Sequence, residues 1–555
     1  MVSDSLTTNT RRRRAVLAAI LLSSLLLNTF HLQWGLPNGN TTWAADAITP
    51  MTPLAVARKT FAGRNSGWFY FKYPIGHPLL LLAAYAPYLG ALYATHQFAR
   101  PQSAYPYGFK HPERALSVLA LIGRALSVLM ATACVAIVYM LGALWFEPAV
   151  GLVAAAGATT SMGLVFYAHT TNLDVPVMFW MLFALLCAVR LMETVHWAEC
   201  LGLGVAAAMG LATKETAVGI IITLPVFIVV AHGHRVRSYS AAMIGSMLVR
   251  LMVGAVVGLV VFGCATNAFY NPAGLLNRLR YLTGTLPREY FGTLVPRAAY
   301  IETTSGPSLA THLRLLRELS TAMVDVMGVA LCTAGLAGLV LALVWRPRVM
   351  LQIAVLTVAF YWFTLASLPL VAVRYILPLA MLLMIFAGAF FVAVSRLGKV
   401  ATAAVAVVLL TSVAYGASVD YALRHDPRYT AEMWLRQHAR GRTVEVYNRA
   451  TFLPRFPEDV NVSRPKFTKI TQQGVSERRP DFILLNMADV GRVTGHYDVF
   501  EVGVKRRAEN VAFLDALLNE QLGYHRIARF RTHVPLIRDG VIRSLNPEIV
   551  VFERS

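Results

Sequence analysis

The chain has 555 residues, of which 56% are hydrophobic and 14% charged, and a mean hydropathy of +0.55. Soluble domains carry about a quarter charged residues, so a soluble enzyme, a disordered chain and a small secreted scaffold are excluded. The net charge is +21, from 50 Lys and Arg against 29 Asp and Glu. Among repeated apolar stretches of bilayer length, that excess points to orientation signals and anionic lipid or phosphate partners, with no nucleic acid.

Arg11 to Arg14 precede an apolar run from Ala15 to about Phe30. Ala45-Asp46-Ala47 offers small residues for cleavage, but too far beyond the run, so the sequence predicts an uncleaved first helix. A polar stretch to Tyr73 follows, then an apolar run from Pro78 to about Ala94. Further apolar segments lie near 124–146, 149–168, 175–192, 200–213, 216–231, 246–264, 322–345, 349–367, 375–395 and 400–418.

Three short basic connections, at 232–237, 345–348 and 395–399, belong in the cytoplasm with the N-terminal arginines. Their parity requires an even number of crossings between Arg14 and His232. It is kept if the 78–94 run dips into or lies along the outer leaflet. Eleven crossings result, or 13 if that run is a closely spaced pair. The expected fold is therefore a polytopic α-helical membrane protein of about 11–13 helices. Residues 1–418 form its membrane domain.

Residues 419–555 read as a small extracytoplasmic α/β domain, with helices over 428–438 and 509–522 and strands at 444–447, 482–485 and 549–552. The charge divides unevenly: 28 basic and 12 acidic residues reach to Ser418, and 22 and 17 follow. The five cysteines, Cys134, Cys187, Cys200, Cys264 and Cys332, have no zinc or redox spacing and read as apolar gap-fillers.

The same topology gathers polar groups at the outer face. Asp46 lies in Trp43-Ala-Ala-Asp-Ala-Ile-Thr-Pro50, and Lys72-Tyr73-Pro74 precedes the dipping segment with His77. Arg124 starts a helix. His169 and Asp174 lie in Tyr167-Ala-His-Thr-Thr-Asn-Leu-Asp-Val-Pro176, where Asp174 could equally be a helix cap. Lys214-Glu215 interrupts an apolar run and could be a local ion pair. Arg374-Tyr375 stands at the next outer helix end, where snorkelling is the plain alternative. Three cations around one cavity suit a lipid-linked phosphate.

In this order, these motifs resemble the GT-C glycosyltransferases, nearest to the protein O-mannosyltransferase family and the bacterial lipid A aminoarabinose transferase type. The resemblance covers roughly residues 10–400. In the tail, Asp426-Pro-Arg-Tyr429 and Leu453-Pro-Arg-Phe456 have a vaguer likeness to bacterial members. The resemblance implies a polyprenyl-phosphate sugar donor, a glycan, lipid or protein acceptor, and reaction at the outer face of a bacterial inner membrane. It makes Asp46 the general base, with Asp174 as a second catalytic carboxylate. Lys72, Tyr73, His77, Lys214, Arg374 and Tyr375 would bind substrate. No cofactor is required, although Asp46, Asp174 and His169 could hold a divalent metal. Two departures stand out: Ala47 replaces a second acid, and Ile75 replaces a second proline. A flippase for a lipid-linked saccharide and a non-catalytic scaffold are the alternative classes.

Overall fold

The structure is a computed structural model describing residues 2–37, 42–60, 73–233, 235–283, 285, 308–366, 372–466, 469–487, 490 and 508–555. The chain packs as two units. One comprises Met1–Leu32 with Ile48–Ala417, the other Gln33–Ala47 with Ser418–Ser555. The short segment 33–47 thus packs with the tail, although the sequence places it among membrane loops.

The first unit is helical. Helix starts follow local chemistry. Proline occupies the first turn of Pro112–Trp145, Pro148–Thr159, Pro272–Leu282 and Pro347–Phe360, where its missing N–H is not needed. Ser240 and Ser308 cap their helices by accepting from Met243 N and Thr311 N. Among the described residues, seven helices are long and apolar enough to cross a membrane, or nine if each of two bent pairs is one span. The two further runs of the predicted eleven, 15–30 and 200–213, lie in the helices Val2–Thr29 and Trp197–Thr213, the latter a shorter apolar helix. The 322–345 run divides into Leu309–Met327 and Val329–Trp345, which meet at 114°. Gly328 forms that corner at φ 77°, a left-handed conformation glycine adopts without steric cost. The 149–168 run bends by 60° after Thr159. The 78–94 run is one helix, Gly76–Ala94, and is not among the candidate spans.

Of the seven unbroken candidate spans described, Val373–Ser395 is the most buried, with 78% of its apolar window buried against 17% for Ala241–Ala265 at the rim. Close helix contacts use glycine. A Cβ on Gly204 would lie 2.1 Å from the Gly254 carbonyl, so Trp197–Thr213 and Ala241–Ala265 touch backbone to backbone. Four of the five cysteines are buried among these helices, and Cys264 is exposed.

Among the described residues the tail unit has five strands, β1 (Thr443–Val446), β2 (Asn461–Ser463), β3 (Phe482–Asn486), β4 (Tyr524–Phe530) and β5 (Ile549–Arg554). They form one mixed sheet of order β2-β1-β3-β5-β4. β1 runs parallel to β2 and β3, whereas β5 pairs antiparallel with β3 and β4. Phe482 and Leu484 pack with Ala431 and Leu435 of the Pro427–His438 helix. Ile483 and Leu485 pack with Phe513 and Leu517 of Ala508–Leu518. Both faces of β3 are covered, which explains its unbroken apolar run.

Candidate functional site

Three helix ends of the helical unit bring charge together. Asp174 is the first residue of Asp174–Leu191, Lys214 follows the last residue of Trp197–Thr213, and Arg374 is second in Val373–Ser395. Lys214 Nζ donates to Asp174 Oδ1 at 2.7 Å, with both side chains only 6% exposed. Arg374 Nε lies 4.0 Å from Asp174 Oδ2, and Arg374 Nη2 donates to the Tyr375 hydroxyl at 3.2 Å. The Lys214 ammonium stands 4.9 Å from the Tyr375 ring centre and 5.7 Å from that of Tyr73. The cap position of this helix belongs to Leu173, and Asp174 is already its first helical residue. Asp174 serves as the counterion of buried Lys214 and partly buried Arg374.

The local pairing of Lys214 with Glu215 does not form. Glu215 accepts from Arg278 Nε at 2.7 Å and also from Nη2 of the same guanidinium. Arg278 sits in Pro272–Leu282, 8% exposed. Sequence reasoning missed it: an arginine in a long polar loop carries no signal beyond its charge. Taking Glu215 away leaves Lys214 committed to Asp174.

His169 and Arg124 tie down the end of the first helix. Arg124 Nη1 donates to the Leu32 carbonyl at 2.5 Å. The two ring nitrogens of buried His169 face the Val165 and Phe30 carbonyls, at 2.7 and 2.5 Å. Neither nitrogen is directed at a metal position. Among the described residues no three His, Cys, Asp or Glu side chains cluster as metal ligands. His169 thus faces two carbonyls, and Asp174 holds Lys214.

Ile48 N donates to the Thr171 carbonyl, and Thr171 Oγ1 donates back to Ile48 O at 2.6 Å, three residues before Asp174. His77 is fully buried, and neither ring nitrogen has a hydrogen-bond partner among the described residues. Its neighbour Gly76 lies against Ala212, whose carbonyl a Cβ there would meet at 2.7 Å. Lys72 lies outside the described residues. Asp46 belongs to the tail unit, exposed and at φ 59°.

The opposite ends of these helices collect the basic connections. His232 Nε2 lies 2.6 Å from the Leu191 carbonyl, and Arg250 donates to Val195 O at 2.6 Å. Arg396 pairs with Glu147. Asp174–Leu191 separates these groups by its own length, about 27 Å at 1.5 Å per residue. The acid–cation cluster and the basic connections therefore occupy opposite ends of the helical unit.

Residues 118–262 match the family model described as dolichyl-phosphate-mannose-protein mannosyltransferase. That stretch contains Arg124, His169, Asp174, Lys214 and Glu215. No curated protein matches the chain. Among solved structures, ArnT from Cupriavidus metallidurans bound to undecaprenyl phosphate is 14% identical, with 97% of each chain covered and a TM-score of 0.44. The archaeal oligosaccharyltransferase AglB from Archaeoglobus fulgidus, in complex with an inhibitory peptide and a dolichol-phosphate, is 10% identical. It covers 98% of this chain and 89% of its own, with a TM-score of 0.47. The Saccharomyces cerevisiae protein O-mannosyltransferase complex bound to the sugar donor is 12% identical over 47% of this chain and 34% of that one, with a TM-score of 0.35.

Proposed function

We propose that this chain, which resembles the GT-C glycosyltransferases of the protein O-mannosyltransferase and ArnT type, is an inverting transferase using a polyprenyl-phosphate sugar. The observation that carries the proposal is the convergence of Lys214 and Arg374 on buried Asp174. A lipid-linked phosphate holds its tail in the bilayer and its head group at helix-end depth. Cations kept there in low dielectric attract phosphate oxygens more strongly than in water. Arg374 offers a planar fork to those oxygens, whereas Lys214 acts as a point charge. Asp174 sets the position of both. Lys72, Tyr73, His77 and Tyr375 complete the donor-binding set.

In the proposed step Asp46 takes the proton of the acceptor hydroxyl as its oxygen attacks the anomeric carbon. The bond from that carbon to the phosphate oxygen breaks, and its electron pair leaves with polyprenyl phosphate. An acceptor phosphate, already ionised, would attack without needing the base. General base catalysis of this kind contributes about 10²–10⁴ in rate. Lys214 and Arg374 stabilise the charge that develops on the leaving phosphate. The acceptor is a glycan, lipid or protein at the outer face of the membrane, where the tail also lies. No nucleotide-sugar site is needed.

Sugar release from a polyprenyl-phosphate donor by the purified chain tests this reading, with Asp46→Asn as the control. Binding of donor without release in the wild type would favour a flippase instead.

A further inference from the structure

The Asp-Pro-Arg-Tyr and Leu-Pro-Arg-Phe motifs of the tail have no part in the chemistry above, yet they form a heavily bonded polar cluster. Arg428 is fully buried and grips Asp426 through two bonds, Nη2 to Oδ2 at 2.6 Å and Nε to Oδ1 at 2.9 Å. Its remaining N–H groups donate to the Ser544 and Thr451 carbonyls at 2.7 and 2.8 Å. The guanidinium carbon stands 4.2 Å from the Trp43 ring centre and 5.3 Å from that of Trp34. Both indoles are 1% exposed.

Every other motif residue with a polar side chain reaches the same segment. Trp34 Nε1 donates to Asp426 Oδ2 at 2.9 Å, and Gly35 N donates to the Tyr429 hydroxyl at 2.9 Å. Arg455 donates to the Pro37 carbonyl at 2.9 Å while paired with Glu432, and lies 5.4 Å from the Trp43 ring centre. Residues 34–37 and Trp43 are thus fixed from the tail, three positions before Asp46. The following residues close a turn, with Ala47 N donating to Ala44 O at 3.3 Å. Asp46 sits third in that turn at φ 59°, which a β-turn of this form requires and which aspartate tolerates better than most residues.

We propose that the tail unit is a positioning device for Asp46, with Arg428, Tyr429 and Arg455 as positioning residues that hold the 33–47 segment through Trp34 and Trp43. This rests on the reading of Asp46 as the base. An exposed carboxylate on a free loop samples many positions, and a misplacement of about 1 Å can cost a hundredfold in rate. A base carried on a segment pinned by aromatic stacking and charged hydrogen bonds keeps one.

The test uses the full chain in two readouts. A thiol reagent reports the segment through Ala45→Cys in a Cys264→Ser background. Sugar release from polyprenyl-phosphate mannose reports turnover, and titration with the same donor reports binding. Arg428→Lys removes the fork and the stacking surface, and Tyr429→Phe removes one bond to the segment while keeping the ring. The expected result is labelling faster by about tenfold or more and kcat lower by about ten- to a hundredfold, with donor binding and thermal midpoint close to wild type in Tyr429→Phe. Unchanged labelling in folded Tyr429→Phe and Arg455→Lys would overturn the holding role. Faster labelling with unchanged kcat would overturn the positioning role. Full activity in Asp46→Asn would remove the base and with it the purpose of the device, while the labelling result would still report whether the tail holds the segment.

Discussion

Lys214 gives its buried ammonium to Asp174, 40 residues earlier, and leaves its neighbour Glu215 to Arg278. Adjacent opposite charges would normally satisfy each other in water. Here the chain turns extended at Lys214, with φ −160° and ψ 132°, so the two side chains leave the backbone in different directions. The exchange converts one solvated pair into two long-range ties, which join four helices at one end of the helical unit.

Removing the Lys214 charge tests its donor role directly. Lys214→Ala is expected to weaken binding of a polyprenyl-phosphate sugar about ten- to a hundredfold, the worth of one charged hydrogen bond of about 1.5–3 kcal/mol. Arg374→Lys keeps the charge but loses the fork, and transfer should fall with it. Wild-type binding in both folded variants, measured by donor titration, would make them ordinary interfacial anchors.

Asp174→Asn should cost stability as well as activity. It strands buried Lys214, and breaking a buried pair costs about 3–5 kcal/mol. Adding Lys214→Met should recover part of the thermal midpoint without restoring transfer. Equal midpoints for the single and double variants would show that the pair is not coupled.

Asp46→Asn is expected to abolish transfer to a hydroxyl acceptor while leaving donor binding and folding near wild type. The amide matches the carboxylate in size but cannot take the proton. A loss of about 10²–10⁴ in kcat, with an unchanged donor titration, is the anticipated pattern.

Two glycines on one helix separate packing from propensity. Gly254→Ala pushes a methyl to 2.5 Å from the Cys200 carbonyl, whereas Gly245 has nothing within 4 Å. Gly254→Ala should destabilise by about 1–3 kcal/mol. Gly245→Ala should be neutral or stabilise by up to about 1 kcal/mol. Thermal unfolding in detergent distinguishes them.

Cysteines introduced at Arg235 and Arg440 should label from opposite sides of the membrane, because the basic connections mark one face and the tail is proposed to lie at the other. Labelling of both from one side would remove the proposed topology and the shared outer site with it.

Much of this arrangement was legible beforehand. Asp174, Lys214 and Arg374 stood out because charge beside an apolar run is costly enough to need a reason. What stayed hidden depends on pairing across distance or on shape. Arg278 looks like any loop arginine until Glu215 arrives. His169 beside Asp174 gives no sign in the sequence that two carbonyls face its ring. The corner at Gly328 interrupts no apolar pattern, so hydropathy runs straight through it. The Trp34–Asp426 bond joins residues 392 positions apart, beyond any local signal.

That separation also has a consequence in time. The segment bearing Asp46 leaves the ribosome 392 residues ahead of the aspartate that Trp34 binds. At roughly 5–20 residues per second, the wait is about 20–80 s. During that interval the donor-side helices can insert and pack, while Trp34 and Trp43 have no partners in the tail. On the proposal that Asp46 is the base, it reaches its held conformation only once the far end of the chain has been made and folded. Completion of synthesis would then itself license catalysis, and a nascent chain stalled within the membrane helices would hold its lipid substrate unspent.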